Sequence, residues 1–247
     1  MFSNERTDEM AKNLANRACV AYENGVCCPK IFKINDDNLL VITINNIKYR
    51  ILVMEYIDGA DFFSLKQLPS EEELKTIAKQ LAMLNNIEYN PEFIYDKWAI
   101  VNFENEYNKN ISLVEDEYRK LIEEVYSKFK RCDFSKLKKG YVHGDIIETN
   151  VIKGKNGKLY FIDFSVSNYL PRLVDLAVTI CDLCLDLDDI EQSKKRIELF
   201  VNAYEESFPL SEYEKEALPL FFEVHQSITI LQTTREKLLE HNDTLEN

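Results

Sequence analysis

Apolar and polar positions recur along this chain with two different periods, which divide it into a short mixed part and a longer helical part. Residues 7–24 carry apolar side chains at helical spacing and are followed by Gly25, a typical helix stop, so they predict a helix. Its expected apolar stripe is Met10, Leu14, Ala18 and Ala21. Three segments rich in Ile, Val, Tyr and Phe come next, PKIFKI, LLVITI and IKYRILVMEY, and the polar turns between them predict an antiparallel meander.

After the segment IDGAD, which breaks the strand pattern, the spacing becomes mainly helical. Ser70 with Glu73, and Ser112 with Glu115, have the spacing of capping boxes, and each pair predicts the start of a helix. The apolar stripes expected behind these caps are Leu74, Ile77, Leu81 and Leu84 in one helix, and Val114, Tyr118, Leu121, Val125 and Phe129 in the other.

Two further features complete the pattern of predicted elements. The segment NPEFIYDKWAIVNF, residues 90–103, is aromatic and irregular and is expected to be a connector. Residues 151–164 contain two apolar runs around a GKNG turn and predict a β-hairpin. From residue 171 to about residue 241 the chain is again helical, with Pro219 at an expected helix boundary.

Composition narrows the classes of function. With 247 residues and 45% hydrophobic content the chain can bury a large core, whereas its net charge of −13 disfavours binding to nucleic acid or to anionic membranes. A cationic or neutral small-molecule partner is permitted. No apolar run approaches the roughly 20 residues of a membrane span, and the N-terminus lacks the pattern of a secretory signal, so we expect a cytoplasmic protein.

The cysteines show no disulfide framework, and we expect reduced thiols. Cys181 and Cys184 form a CxxC pair that, together with Cys27 and Cys28, could be imagined as a zinc site. The surrounding sequence LVDLAVTICDLCLDL is apolar and helical, which favours two small core side chains on one helix face instead.

Three oxygen-bearing side chains are expected to converge near the predicted hairpin. Asp145 and Asn150 bracket a short loop before it, and Asp163 follows its second strand, so a tight hairpin returns Asp163 to the loop. Magnesium prefers hard oxygen ligands, and Asn150 and Asp163 suit that role. Asp145 is then free to accept a proton from an incoming hydroxyl. This set of residues is typical of phosphoryl transfer in the manner of kinases.

The segments YVHGDIIETNVI, LYFIDFSVSNYLPRLVDLAV and ILVMEYIDGADF resemble the aminoglycoside phosphotransferase family, also described as choline-kinase-like or homoserine-kinase-II-like small-molecule kinases. The resemblance covers nearly the whole chain in order. It implies an α+β, protein-kinase-like two-lobe fold, with an incomplete N-lobe in residues 1–58 and a mostly helical C-lobe in residues 59–247. It also implies ATP and Mg²⁺ as cofactors.

Carried over residue by residue, the resemblance makes Asp145 the catalytic base and Asn150 and Asp163 the magnesium ligands. His143 would orient the catalytic loop, Gly144 would give it room, and Asp175 would brace it from the next helix. The main-chain groups expected to meet the adenine edge belong to the hinge residues Glu55, Tyr56 and Ile57.

The sequence departs from the family at its N-terminal end. No Gly-rich hairpin and no strand lysine precede the first helix, because Arg6 and Lys12 come too late, and no glutamate is assigned to an ion pair with that lysine. A meander without its neighbours would expose a sheet edge that includes LLVITI. Either the reading frame starts upstream, or a partner chain covers the edge, or the protein tolerates it and binds nucleotide poorly.

Two functions remain open. The first is an ATP- and magnesium-dependent phosphotransferase acting on a hydroxyl of a small molecule such as an aminoglycoside, an amino alcohol or a homoserine-like compound. The alternative is a degenerate kinase-like binding protein without catalysis. Protein kinase activity is disfavoured by Ser165, which stands where those enzymes carry glycine. It is also disfavoured because the segment between Phe164 and Pro171 is too short for a long activation loop. The aspartates that could meet a cationic acceptor, or could simply form a solvated helix end, are Asp182, Asp186, Asp188 and Asp189.

Overall fold

The computed structural model describes residues 7–240, which contain eight α-helices and seven short strands. The helices are α1 (Asp8–Glu23), α2 (Phe62–Leu65), α3 (Glu71–Asn85), α4 (Phe103–Asn110), α5 (Asp116–Phe129), α6 (Leu173–Leu183), α7 (Ile190–Glu205) and α8 (Glu212–Arg235). The strands are β1 (Leu40–Ile44), β2 (Ile47–Ile51), β3 (Gly59–Asp61), β4 (Lys139–Val142), β5 (Val151–Gly154), β6 (Leu159–Phe161) and β7 (Asn168–Pro171).

The first helix agrees with the sequence pattern at both ends. Thr7 caps α1, since its side chain accepts a hydrogen bond from the main-chain N–H of Met10, and Asn24 follows the last turn. The buried face of α1 includes Ala11, Leu14 and Ala21, whereas Met10 is exposed. The predicted stripe was therefore wrong at Met10, which lies in the first turn on the solvent side.

The predicted meander is only partly present. β1 and β2 form an antiparallel hairpin around Asn45 and Asn46, both with positive φ, as a two-residue turn of the favoured hand requires. The first predicted strand, PKIFKI, makes two isolated bridges, from Ile31 to Met54 and from Ile34 to Asp37, and does not become a full strand. Left-handed residues at Asn35 and Asp36 form a tight turn directly after it, which the second bridge closes.

A second sheet has the order β3-β5-β6, and it contains the hairpin predicted for residues 151–164. Its edge strand β3 lies in the IDGAD segment, which was expected only to interrupt the strand pattern. Gly59 is required at this edge, because a Cβ atom there would lie 2.4 Å from the carbonyl oxygen of Lys153. β4 and β7 pair separately. The division into domains 1–58 and 59–247 remains a prediction.

Two predicted helix boundaries in the C-terminal part were wrong. α5 begins at Asp116 without a side-chain cap, and Ser112 lies in a preceding 3₁₀ turn, so Ser112 and Glu115 form no capping box. Its buried side chains include Ile122 and Val125, whereas Tyr118 and Leu121 are exposed. Pro219 lies inside α8 and does not end it. Its ring faces solvent, and the buried face of the helix packs against α4, α5 and α6, which keeps the helix continuous.

The capping box at α3 is formed, and it provides a test of local stability. The N–H of Glu73 donates to Ser70 Oγ at 3.4 Å, and the N–H of Ser70 donates to Glu73 Oε2 at 2.8 Å. Ser70→Ala is therefore expected to lower the free energy of unfolding by about 1 kcal/mol in urea titrations. Ser112→Ala is the matched control and should change it little. Equal losses in the two variants would contradict the role of the cap.

The hydrophobic core is continuous from α1 through α3 to α8, and it surrounds the loop between β4 and β5. No helix between residues 7 and 240 is long and apolar enough to cross a membrane. Arg6, and the end of the last predicted helix at about residue 241, lie outside the described residues.

Candidate active site

The loop after β4 is held from within by His143, which is fully buried. The main-chain N–H of Asp145 donates to His143 Nδ1 at 3.3 Å, so the ring proton lies on Nε2 and is donated to the carbonyl of Ile162 at 3.0 Å. Burial lowers the pKa of His143 to about 4, and the ring stays neutral near pH 7. His143 thus joins the loop to the hairpin.

Asp175, on α6, holds the same loop from the other side. Its carboxylate accepts hydrogen bonds from the main-chain N–H of His143 at 2.9 Å and of Gly144 at 2.7 Å. Gly144 has a φ of +88°, which favours glycine over any residue with a Cβ atom. Burial raises the pKa of Asp175 to about 6, while the hydrogen bonds from Gly144, Asn85 and His143 oppose that rise.

Asp145 and Asn150 face each other across the loop. Asn150 Nδ2 donates to Asp145 Oδ2 at 2.7 Å and to the main-chain oxygen of Asp145 at 2.9 Å. Within residues 7–240, Asp145 Oδ1 and Asn150 Oδ1 accept no hydrogen bond from the protein. One carboxylate oxygen is therefore fixed and the other is left for a substrate, and the amide oxygen of Asn150 is left for a cation.

The hairpin returns Asp163 to this loop. The N–H of Ile162 donates to the carbonyl of Asn150 at 3.0 Å, and Val151 pairs with Phe161 in the strand register. Asp163 has a left-handed conformation with a φ of +60°, and its Oδ1 accepts from Ser165 N–H at 3.2 Å. Its side chain is exposed, so its second oxygen can face a ligand.

The carboxylate of Asp145 is destabilised in its charged form. Burial is the main cause, and the nearby charges of Asp96 and Asp163 add to it, so its pKa rises to about 7. The hydrogen bond from Asn150 acts in the opposite direction. A carboxyl group with a pKa near 7 can accept a proton under physiological conditions, and a bound cation would keep it ionised.

The sequence patterns did not reveal Asp96, which lies in the connector of residues 90–103. Among the charged groups that act on the pKa of Asp145, Asp96 raises it most. Asn168, in β7, fastens this connector through two hydrogen bonds with the main chain of Ile94, at 2.9 and 3.0 Å. An irregular segment gives no periodic signal, so nothing local indicated that Asp96 would influence the pKa of Asp145.

Asp182 lies on another side of the loop, where its Oδ1 accepts from the N–H of Glu148 at 2.5 Å. Burial raises the pKa of Asp182 to about 6. The other three aspartates of the CDLCLDLDD segment have different positions: Asp186 accepts from the N–H of Asp188 at 3.0 Å, and Asp189 caps α7. Of these four, only Asp182 acts on the pKa of Asp145.

The predicted hinge residues link β2 to β3. The N–H of Glu55 donates to the carbonyl of Lys30 at 2.8 Å, so this group is not available to a nucleotide. Tyr56 is 86% exposed. In the part of the chain that the structure describes, the main-chain N–H and C=O of Ile57 make no hydrogen bond with the protein. Recognition of adenine by these three residues remains a prediction, for which Ile57 offers the free groups.

Asn150 and Asp163 match the oxygen preference of Mg²⁺, which is commonly held by one or two protein groups, phosphate oxygens and water. Among residues 7–240, no group of three or more His, Cys, Asp or Glu side chains could hold a metal ion. Cys184 is buried at the end of α6, and burial raises the pKa of Cys181 to about 11 and that of Cys184 to about 12. Both thiols stay protonated near pH 7, but only Cys184 lies in the core, and Cys181 is partly exposed.

The sequence profile of the phosphotransferase enzyme family, APH, matches residues 3–215. The chain belongs to this family. The family predicted from the sequence is thereby confirmed. A curated relative, homoserine kinase from Polaromonas naphthalenivorans (strain CJ2), is 31% identical over 87 residues, which cover 35% of this chain. The matched segment spans 27% of that relative's length.

Solved structures of small-molecule kinases share the fold of this family member. The microcompartment-associated aminopropanol kinase has a TM-score of 0.71 at 11% identity, covering 100% of this chain and 78% of its own. Amicoumacin kinase hAmiN, solved with AMP-PNP, Ca²⁺ and Ami, has a TM-score of 0.70 at 12% identity, and the match covers 98% of this chain and 74% of hAmiN. Choline kinase LicA from Streptococcus pneumoniae has a TM-score of 0.58 at 19% identity, and the match covers 97% of this chain and 78% of LicA. The predicted α+β, protein-kinase-like fold is confirmed.

Proposed function

We propose that this protein is an ATP- and magnesium-dependent kinase that transfers the γ-phosphoryl group to a hydroxyl of a small molecule carrying an amine. The observation that carries the proposal is the pair Asp145 and Asn150. One oxygen of Asp145 is fixed by the amide of Asn150, its other oxygen is free, and the oxygen of Asn150 is free for a cation. Family membership supports a nucleotide donor, and so do two neighbours that were solved with adenine nucleotides, LicA with AMP and hAmiN with AMP-PNP.

In this mechanism Asp145 accepts the proton of the acceptor hydroxyl while that oxygen bonds to the γ-phosphorus and the bond to ADP breaks. Asn150 keeps the Asp145 carboxylate pointed at the hydroxyl. Asn150 Oδ1 and the free oxygen of Asp163 would hold Mg²⁺, which neutralises charge on the phosphate oxygens when it is bound. His143 and Asp175 keep the loop rigid, so that the reacting atoms meet in one orientation.

The charges around Asp145 favour an acceptor with an amine. Asp96 and Asp182 both raise the pKa of Asp145, and burial raises the pKa of each of them. In the described part of the chain neither carboxylate has a salt bridge to a basic side chain. An ammonium group near them would offset a repulsion that a neutral alcohol leaves in place. The homoserine kinase relative and the choline and aminopropanol kinase neighbours suggest the same class.

The test is a panel of acceptors with purified protein, ATP and Mg²⁺, and phosphorylated product is followed by mass spectrometry. The panel holds homoserine, choline, ethanolamine, 1-amino-2-propanol and aminoglycosides. We expect at least one cationic acceptor to be phosphorylated, and 1,2-propanediol, the neutral match of 1-amino-2-propanol, to react at least about tenfold more slowly than the amine. Absence of product from every acceptor would contradict the proposed activity. Equal rates for 1-amino-2-propanol and 1,2-propanediol would contradict the proposed preference for an acceptor with an amine.

The alternative, binding without catalysis, has no observation in its favour at the site itself, where the residues proposed as the base and the metal ligands, Asp145, Asn150 and Asp163, are all present. Cover of the exposed sheet edge by a partner chain remains a prediction. Ile44 and Ile47, at the turn end of the β1–β2 hairpin, are 51% and 47% exposed.

A further inference from the structure

We infer that Asn85 and Tyr204 are positioning residues, which fix the catalytic loop through Asp175. The inference rests on the proposed function, because it assigns these two residues a role in the rate of that reaction. Neither residue touches the loop segment that carries Asp145. They act by presenting one hydrogen-bond donor to the carboxylate that holds His143 and Gly144.

Asn85 is the last residue of α3, and only 1% of it is exposed. Its Nδ2 donates to Asp175 Oδ2 at 2.7 Å and to the main-chain oxygen of Tyr141 at 3.1 Å. Tyr141 lies in β4, just before the loop. One amide group therefore binds both the strand that leads into the loop and the carboxylate that holds it.

Tyr204 sets the direction in which this amide points. Its hydroxyl donates to Asn85 Oδ1 at 3.0 Å, and the amide nitrogen must then face Asp175. With the amide reversed, Asn85 Oδ1 would face the Asp175 carboxylate and the Tyr141 carbonyl, so that acceptors would meet acceptors in a buried place. Burial raises the pKa of Tyr204, which keeps the hydroxyl protonated as a donor.

Both residues are held in position by the packing around them. A Cβ atom on Gly140 would lie 1.9 Å from the main-chain oxygen of Asn85, so the end of α3 is in direct contact with β4. The Tyr204 ring is fully buried on α7, with the Arg172 guanidinium 5.9 Å from its centre. The Tyr204 hydroxyl also interacts with the Arg172 side chain. The Asn85 amide is held between Tyr204, Asp175 and Tyr141, so a change at Tyr204 is passed to Asp175.

Two variants test the inference by kinetics. Tyr204→Phe keeps the ring and removes only the hydroxyl, and we expect kcat to fall about tenfold while KM for ATP and for the acceptor stays unchanged. Asn85→Leu should lower kcat further. Because Tyr204 acts through Asn85, the double variant should be no slower than Asn85→Leu alone.

The matched control is Tyr213→Phe, which removes another hydroxyl, one that accepts from the N–H of Asp133 at 2.7 Å and lies away from the loop. It should leave kcat unchanged. If Tyr204→Phe lowers the melting temperature but leaves kcat unchanged, or raises KM alone, the positioning role is wrong. Additive losses in the double variant would also overturn it.

A readout without turnover separates this inference from the proposed function. Hydrogen exchange of the main-chain amides of His143 and Gly144, followed by NMR on the full chain, should become about tenfold faster in Tyr204→Phe and stay unchanged in Tyr213→Phe. Unchanged exchange in Tyr204→Phe would overturn the inference whatever the activity. Faster exchange in a protein that phosphorylates nothing would support the positioning and contradict only the proposed kinase function.

Discussion

Asp145→Asn is expected to lower kcat about 10²- to 10⁴-fold, the usual contribution of a positioned general base, with little change in KM for ATP. The amide can still accept the hydrogen bond that Asn150 now gives to Asp145 Oδ2, so the loop keeps its shape. It cannot take the proton of the acceptor hydroxyl. The measurement is steady-state kinetics with an acceptor that the parent phosphorylates.

The same substitution should leave the folded state as stable as the parent or more stable. It removes a partly buried charge whose pKa is raised by burial and by Asp96 and Asp163, so the melting temperature should not fall. Asp189→Asn is the control, because Asp189 caps α7 and Asn is an equally good cap. If Asp145→Asn keeps more than about a tenth of the parent kcat, Asp145 is not the base.

The sequence could predict the residues whose positions are set locally. Asp145 and Asn150 share one short loop, and a hairpin returns Asp163 to it, so a single turn prediction placed all three. The same holds for α3, whose capping box needs only two side chains within one helical turn.

Residues placed by contacts distant in sequence could not be found in this way. Asp96 acts on the pKa of Asp145 from a connector that Asn168 fastens, and Asn85 meets Tyr204 across 119 positions of the chain. The errors at Ser112 and Pro219 have a related cause. Tertiary packing of α5 and α8 decided the helix boundaries there, and it outweighed a capping pattern and a proline.

Arg172→Met is expected to lower the free energy of unfolding by about 3–5 kcal/mol, the cost of leaving a buried charge without its partner. Arg172 Nε and Nη2 donate to the two oxygens of Glu214 at 2.8 and 2.7 Å, and each side chain is 1% exposed. Arg172 also donates to the carbonyls of Phe208 and Pro209. The pair fastens the start of α6, which carries Asp175, to the start of α8. Urea unfolding measures the loss.

The pH dependence of this loss tests its cause. Burial acts to raise the pKa of Glu214, but the hydrogen bonds from Arg172 and Ser211 outweigh it, and the pKa lies below its ordinary value of 4.5. In the parent, the pair therefore stabilises the fold fully above that value and loses its effect as the pH falls through the lower folded-state pKa. In Arg172→Met the Glu214 carboxylate lacks its partner and its pKa should rise. The difference in free energy of unfolding between variant and parent should therefore narrow toward pH 4.

Lys128→Met, which breaks the exposed pair with Glu223, is the control and should cost less than about 1 kcal/mol. An equal cost in the two variants, or a gap that does not change with pH, would show that Glu214 does not depend on Arg172 for its charge.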